Sequence, residues 1–193
     1  MLGAMTGKYA SFAELARHET LGRDYRVDTL ERPGCGVLII APHGGTIENG
    51  TSELAQQIAG DEYSFFCFEG LKPRGQNRGL HITSHHFDHP ECLALASRHA
   101  VVIGVHGCRG ESQVFVGGLD VEFGSLLAQH LTAAGFPAST EGHNYPGRNP
   151  LNICNRGSRG RGAQLEFTPD FREPVARVQI VEAVRKAIAH RLG

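Results

Sequence analysis

Two short apolar segments constrain the fold of this chain more than any other feature of its sequence. Residues 36–41 read G-V-L-I-I-A and residues 100–105 read A-V-V-I-G-V. Neither segment alternates apolar with polar residues, and both are rich in β-branched side chains, as in strands covered on both faces. Such strands need helices on both sides of their sheet, so the two segments predict an α/β protein.

Strand-like and helix-like segments alternate along most of the chain. Further strands are predicted at residues 63–68, 113–116, 136–140 and 163–167, and helices at 51–60, 90–99, 121–134 and 173–192. The last helix is predicted to bury an apolar stripe made of Val175, Val178, Val181, Val184 and Ile188. Together these segments predict one domain over residues 1–193, an α/β layered sandwich with a mixed, mainly parallel sheet.

The charge balance limits the classes of partner. The chain has 193 residues, enough for a sizeable core, and a formal net charge of −1. A nearly neutral chain is a poor candidate for general nucleic-acid or membrane-surface binding. It contains 16 Arg but only 3 Lys. This excess reflects either GC-rich coding or the recognition of anionic ligands, because Arg pairs with carboxylates and phosphates in a bidentate way.

Cysteine usage and hydropathy bear on the compartment. The five cysteines are widely spaced and contain no C-x-x-C pair, which favours a reducing compartment and excludes a cysteine zinc finger. No secretory signal is visible, and no apolar stretch reaches the ~18 residues needed to cross a bilayer. We therefore expect a cytoplasmic protein, which would act outside the cell after lysis if a phage encodes it.

Two histidines and a glutamate form a candidate metal site. His43 and His106 each follow a predicted buried strand, and Glu48 lies five residues after His43 in H-G-G-T-I-E. Ligands bind beyond the carboxyl ends of strands in open α/β sheets, and Gly-Gly permits a sharp turn. Either histidine alone is typical of a turn or a strand end. Together with Glu48, they predict one catalytic zinc ion per chain.

Glu166 lies within the predicted strand A-Q-L-E-F, and its pattern allows two interpretations. The alternation of Gln164, Glu166 and Thr168 is compatible with a strand that faces solvent. A buried Glu166 would instead be a general base that activates water.

Two long loops also suggest function, because long loops inside a compact domain are usually functional. The loop at 147–162 contains four Arg and three Asn, and it is the only sequence support for a non-enzymatic nucleic-acid accessory protein. The loop at 69–90 contains His81, His85, His86 and His89. The last three either bind a second metal or form a solvated cluster, and both interpretations stay open.

Seven motifs occur in one order over residues 7–172. They are H-G-G-T-I-E-N-G-T-S-E-L-A, F-F-C-F-E-G, L-H-I-T-S-H-H-F-D, V-H-G, V-G-G-L-D, N-I-C-N-R and Q-L-E-F. Together they resemble the poly-γ-glutamate hydrolase family. The resemblance implies a zinc-dependent peptidase with a zinc carboxypeptidase-like core that cleaves γ-amide bonds. It implies His43, Glu48 and His106 as metal ligands and Glu166 as the catalytic glutamate.

The resemblance also suggests how the substrate is held. Asn155 and Arg156 are similar to the clamp for substrate carboxylates in related amidohydrolases, and Arg109, His81 and Arg78 are further candidates for substrate binding. Arg109 or Arg156 would also stabilise the oxyanion. The alternative within enzymes is a zinc amidohydrolase that deacylates small N-acylglutamate substrates.

Overall fold

Seven strands form one mixed sheet in the computed structural model, which describes residues 7–193. They are β1 (Tyr25–Leu30), β2 (Val37–Gly45), β3 (Ser64–Gly70), β4 (Val101–Gly107), β5 (Val114–Gly118), β6 (Ala138–Ser139) and β7 (Ala163–Phe167). Their order across the sheet is β1-β3-β2-β4-β7-β5-β6. The β1–β3 and β5–β7 pairs are antiparallel, and the other four pairs are parallel. The predicted α/β fold with a mixed, mainly parallel sheet is confirmed.

In the described part of the chain, five α-helices cover the two faces of this sheet. They are α1 (Phe12–His18), α2 (Thr51–Ala59), α3 (Pro90–Ser97), α4 (Val121–Ala133) and α5 (Pro174–Leu192). Helices α2, α4 and α5 share one apolar core with the sheet, and α1 and α3 share a second core on the opposite face. No helix among residues 7–193 is long and apolar enough to cross a membrane. The sequence did not predict α1 or β1, since neither has a long apolar run.

Side chains alternate between these two cores along each strand, and this alternation positions the polar residues. In β7, Ala163, Leu165 and Phe167 enter the core with α2, α4 and α5. Gln164 and Glu166 therefore point to the opposite face, and both are buried there. The interpretation of β7 as a strand that faces solvent is wrong, because all five of its residues are buried.

Strand β2 continues beyond the end predicted for it. The apolar segment predicts a strand that ends at Ala41, before Pro42, yet β2 pairs with β3 as far as Gly45. The register shifts between Ala41 and Gly44, which indicates a bulge. Proline is tolerated at a bulge because its missing N–H is not needed there. The bulge carries His43.

The buried face of α5 differs from the predicted stripe. Val175 and Val178 are 91% and 69% exposed, whereas Ile180, Ala183, Val184, Ala187 and Ile188 are buried. The buried residues recur three, four, seven and eight positions after Ile180, as on one helical face. A strict step of three residues, on which the predicted stripe was largely built, drifts around the helix because the repeat is 3.6 residues.

His89 belongs to the core beside α3 and not to a solvated cluster. Its ring centroid lies 4.1 Å from that of Phe12 and 5.0 Å from that of Phe66. Its Nδ1 is buried without a hydrogen-bond partner among the described residues. Burial lowers the pKa of His89 to about 4, against the opposing charge of Asp88. His85 and His86 remain more exposed, and residues 7–193 show no second group of metal-like ligands around them.

We expect Val184→Ala to lower the free energy of unfolding by about 2 kcal/mol, because it removes two buried methyl groups and leaves a cavity. Val178→Ala is the matched control, since Val178 lies largely in solvent. It should change the free energy by less than about 0.5 kcal/mol. Urea denaturation measures both values. Equal losses in the two variants would contradict the assignment of the buried face.

Acidification should destabilise the protein through His89. An unfolded chain binds a proton at His89 below its ordinary pKa of about 6.5, whereas the folded chain resists protonation down to about 4. Stability conferred by the neutral ring is thus present above pH ~6.5 and is lost by roughly 1–3 kcal/mol as the pH falls toward ~4. His89→Phe should reduce this loss in urea denaturation measured across the range. An unchanged pH dependence in the variant would contradict the prediction.

Candidate metal and catalytic site

A tight turn at the end of β2 explains the spacing between His43 and Glu48. The Glu48 backbone N–H donates to the His43 carbonyl at 2.9 Å, and the Thr51 hydroxyl donates to the Glu48 carbonyl at 2.9 Å. Gly45 adopts a φ of +64°, and a Cβ at Gly44 would collide with the Ser52 Oγ. The two glycines therefore let the chain turn back so that both side chains reach the same point.

Three buried side chains converge beside this turn. One ligand atom each of His43, Glu48 and His106 lies within 4.8 Å of the other two. The Nδ1 atoms of His43 and His106 are 3.2 Å apart, and the His43 Nδ1 is 3.2 Å from the Glu48 Oε1. The structure thus brings together the three residues that the sequence predicted as metal ligands.

Neighbouring groups fix the orientation of His43 and Glu48. The His43 Nε2 lies 2.7 Å from the Ile82 carbonyl oxygen, which can only accept, so this nitrogen carries a hydrogen and Nδ1 faces the cluster. The Gly107 backbone N–H donates to the Glu48 Oε2 at 2.7 Å. Hydrogen bonds of this kind, made by the atoms of a ligand that face away from a metal, set its tautomer and direction.

The electrostatics of the cluster fit a cation. Burial alone would raise the pKa of Glu48, but the His43 charge and the hydrogen bonds from His43 and His81 hold it below its usual range. Burial opposes a charge on His43, yet Glu48 raises the pKa of that ring. Burial and the His43 charge lower the pKa of His106 to about 3. Two imidazole nitrogens and a carboxylate therefore face one another in a buried space, and they form the donor set that a zinc ion accepts.

Glu166 lies next to this cluster on the adjoining strand. It pairs in register with His106 between β4 and β7, and its Oε1 accepts a hydrogen bond from the Gln164 Nε2 at 3.0 Å. Burial and the negative charge of Glu48 raise the pKa of Glu166, and Arg172 opposes that rise. A buried carboxyl with a raised pKa beside a metal-like cluster is suited to proton transfer.

The predicted substrate-binding residues are distributed unevenly around this cluster. His81 is next to it, with its ring stacked on His43 at 4.0 Å and its Nε2 3.6 Å from the Glu48 Oε1. Arg78, Arg109 and Arg156 are exposed. Their roles, and that of His81, stay predictions.

Asn155 has a different environment from the one expected of a substrate clamp. Its side chain donates to the carbonyls of Gly147 and Asn149 at 2.8 and 2.9 Å. Its Oδ1 accepts from the N–H groups of Leu119 and Gly162. These four contacts use the amide to hold loop backbone, so they favour a structural role over the predicted contact with substrate.

Sequence reasoning missed two residues near Glu166. Arg172 donates to the carbonyls of Phe167 and Asn49 and is the cation whose charge acts on Glu166. Burial raises the pKa of Tyr145, and the nearby Cys108 and Glu166 add to that rise. No motif marked either residue. Arg172 ends a short 3-10 helix directly after β7, and Tyr145 lies in the irregular segment after β6.

The sequence pattern that describes poly-gamma-glutamate hydrolases matches residues 9–186. The chain belongs to the poly-gamma-glutamate hydrolase family. Its match extends into α5, further than the resemblance over residues 7–172. The predicted family is confirmed.

Two solved structures superpose closely on the chain, and a third shares its fold. A bacteriophage poly-gamma-glutamate hydrolase has a TM-score of 0.92 and 29% identity, covering 97% of this chain and 99% of its own. A zinc-free apo structure of YndL has a TM-score of 0.89 and 36% identity, covering 96% of this chain and 99% of its own. A metallo-carboxypeptidase from Burkholderia cenocepacia, at a TM-score of 0.50 and 14% identity over 86% of this chain and 61% of its own, shares the fold alone.

Two relatives from Bacillus subtilis strain 168 are longer than the region that they share with this chain. The UPF0714 protein YndL is 44% identical over 86% of this chain. The SPbeta prophage-derived UPF0714 protein YoqZ is 41% identical, also over 86%. The chain spans only 65% of the length of YndL and 60% of that of YoqZ.

We expect purified protein to bind about one zinc ion per chain and His106→Ala to lose most of that affinity, because the variant removes one of three donors. Calorimetric titration of chelator-treated protein measures both. His86→Ala is the control, since His86 is exposed and outside the cluster. Zinc binding that survives His106→Ala but fails in His86→Ala would instead place the metal in the loop at residues 69–90, the histidine loop.

Proposed function

We propose that the chain is a zinc-dependent hydrolase that cleaves γ-glutamyl amide bonds of poly-γ-glutamate. The observation that carries the proposal is the buried group of His43, Glu48 and His106 directly beside Glu166, in a chain of the poly-gamma-glutamate hydrolase family. Two similar structures support the substrate and the metal, since one is a bacteriophage poly-gamma-glutamate hydrolase and the other is a zinc-free apo form of YndL.

His43, Glu48 and His106 would hold the zinc ion. When bound, the ion would act as a Lewis acid and make water ionise near neutral pH. The bonds from Ile82 and Gly107 keep His43 and Glu48 in place, so little reorganisation accompanies the reaction.

Glu166 is the proposed general base and acid. Its raised pKa makes its carboxylate a stronger base than an ordinary glutamate. It takes a proton from the water that attacks the amide carbonyl, and the C–N bond then breaks as Glu166 returns that proton to the leaving amine. One water molecule is consumed, which yields a carboxylate and an amine.

Recognition of the polymer requires cations, because every glutamate unit linked through its γ-carboxyl keeps a free α-carboxylate. We assign this role to Arg156, Arg109 and Arg78, which are exposed and able to form bidentate pairs. Arg172 adds a fixed positive charge near Glu166.

Glu166→Gln should lower kcat on poly-γ-glutamate by about 10²–10⁴-fold and leave zinc binding intact, because an amide cannot accept the proton. Glu53→Gln is the control, since Glu53 is exposed on α2. Size-exclusion chromatography of timed digests measures cleavage, and calorimetry measures zinc.

Two outcomes would change the proposal. Near-normal turnover by Glu166→Gln would remove Glu166 from the reaction. Cleavage of small N-acylglutamates without any shortening of the polymer would replace the polymer hydrolase with a small-substrate deacylase, which would use the same residues.

A further inference from the structure

Two amide side chains form a buried relay that ends on Glu166. The Asn152 Nδ2 donates to the Gln164 Oε1 at 2.8 Å, and the Gln164 Nε2 donates to the Glu166 Oε1 at 3.0 Å. All three side chains are buried, with exposures of 5%, 5% and 8%. Asn152 lies in the loop at residues 147–162, the Arg-rich loop, so the relay connects that loop to Glu166, the proposed base.

The backbone fixes the direction of this relay. The Asn152 Oδ1 accepts from the Cys154 N–H at 3.2 Å, so its amide group must point its N–H toward Gln164. The Gln164 oxygen then accepts, and its N–H group can face only Glu166. A flipped Gln164 amide would set two N–H groups against each other at Asn152 and two oxygens against each other at Glu166, and buried polar groups do not tolerate such pairs.

Glycines make room for the Gln164 side chain. Its register partners are Gly104 on β4 and Gly117 on β5, so neither neighbouring strand places a side chain beside it. A Cβ at Gly147 would lie 3.2 Å from the Gln164 Cδ. A side chain this enclosed has little rotamer freedom, and it can therefore hold its partner in one orientation.

We propose that Gln164, oriented by Asn152, is a positioning residue that holds the Glu166 carboxylate for proton transfer. The bond from Gln164 occupies Oε1 and fixes the plane of the carboxylate, which leaves Oε2 to take the proton. This inference rests on the proposed function, because it assigns a role to Gln164 only if Glu166 is the base.

Gln164→Met tests the donor, because methionine is similar in length and cannot donate a hydrogen bond. We expect kcat to fall about 10- to 100-fold, in line with the loss of a hydrogen bond to a charged group, while KM stays within about twofold. Zinc affinity should not change. The control is Gln113→Met, which makes the same substitution at an amide bonded to Val114 and Ser139.

Asn152→Asp tests the direction of the relay. The introduced carboxylate still accepts from the Cys154 N–H but cannot donate, so the Gln164 amide turns over and presents its oxygen to Glu166. We expect a kcat as low as that of Gln164→Met. The double variant should be no worse than either single variant, since both break the same relay. Fully additive losses would overturn the proposal.

A second readout does not depend on activity. In metal-free, ¹⁵N-labelled protein, the resonance pair missing in Gln164→Met identifies the Gln164 side-chain amide. We expect one of its protons to lie downfield and to move upfield in Glu166→Leu, because the hydrogen bond to the Glu166 Oε1 is lost. An unchanged pair would overturn the proposal.

The two readouts separate the failures. Wild-type protein that cleaves no polymer would refute the proposed function, while the resonance test would still decide whether Gln164 donates to Glu166. Wild-type protein that cleaves normally, together with an unimpaired Gln164→Met, would overturn the positioning role alone.

Discussion

Two carboxylates, Glu48 and Glu166, are buried beside one face of the sheet, and the proposed chemistry depends on their having different pKa values. A buried carboxylate needs donors or positive charge, since isolated burial is unfavourable. Glu48 has a backbone N–H from Gly107 and two imidazoles, whereas Glu166 has the Gln164 amide and the more distant charge of Arg172. The unequal surroundings lower one pKa and raise the other, which separates a proposed metal ligand from a proposed base.

The two long loops are bonded to each other, and each one holds a side chain of the candidate site. The Ile153 N–H donates to the Ser84 carbonyl at 3.0 Å, which joins the Arg-rich loop to the histidine loop. The first loop reaches Glu166 through Asn152 and Gln164, and the second reaches His43 through the Ile82 carbonyl. Their contribution is therefore to orient side chains carried by the sheet, in addition to whatever their exposed arginines bind.

The sequence predicted what depends on local pattern. Unbroken β-branched runs identified the central strands, and histidines at two strand ends identified the cluster, because carboxyl ends of parallel strands meet at one edge. Local pattern failed where tertiary packing decides. The stripe proposed for α5 ignored which helices it meets. The resemblance, and not a local pattern, suggested Asn155 for substrate binding, and it carries no information on the loop backbone that uses this amide. The partnership of Gln164 with Asn152 depends on a loop closing over β7, which no spacing reveals.

The four backbone contacts of Asn155 have a thermodynamic consequence for ligand binding. They fix the ends of the loop that carries Arg148 and Arg156, so the conformational entropy of this backbone is already lost when the chain folds. A polyanion that docks on this loop meets arginines on an ordered backbone and has mainly their side chains left to immobilise. Association would then proceed at a rate set by diffusion and charge, with no preceding step in which the loop must order.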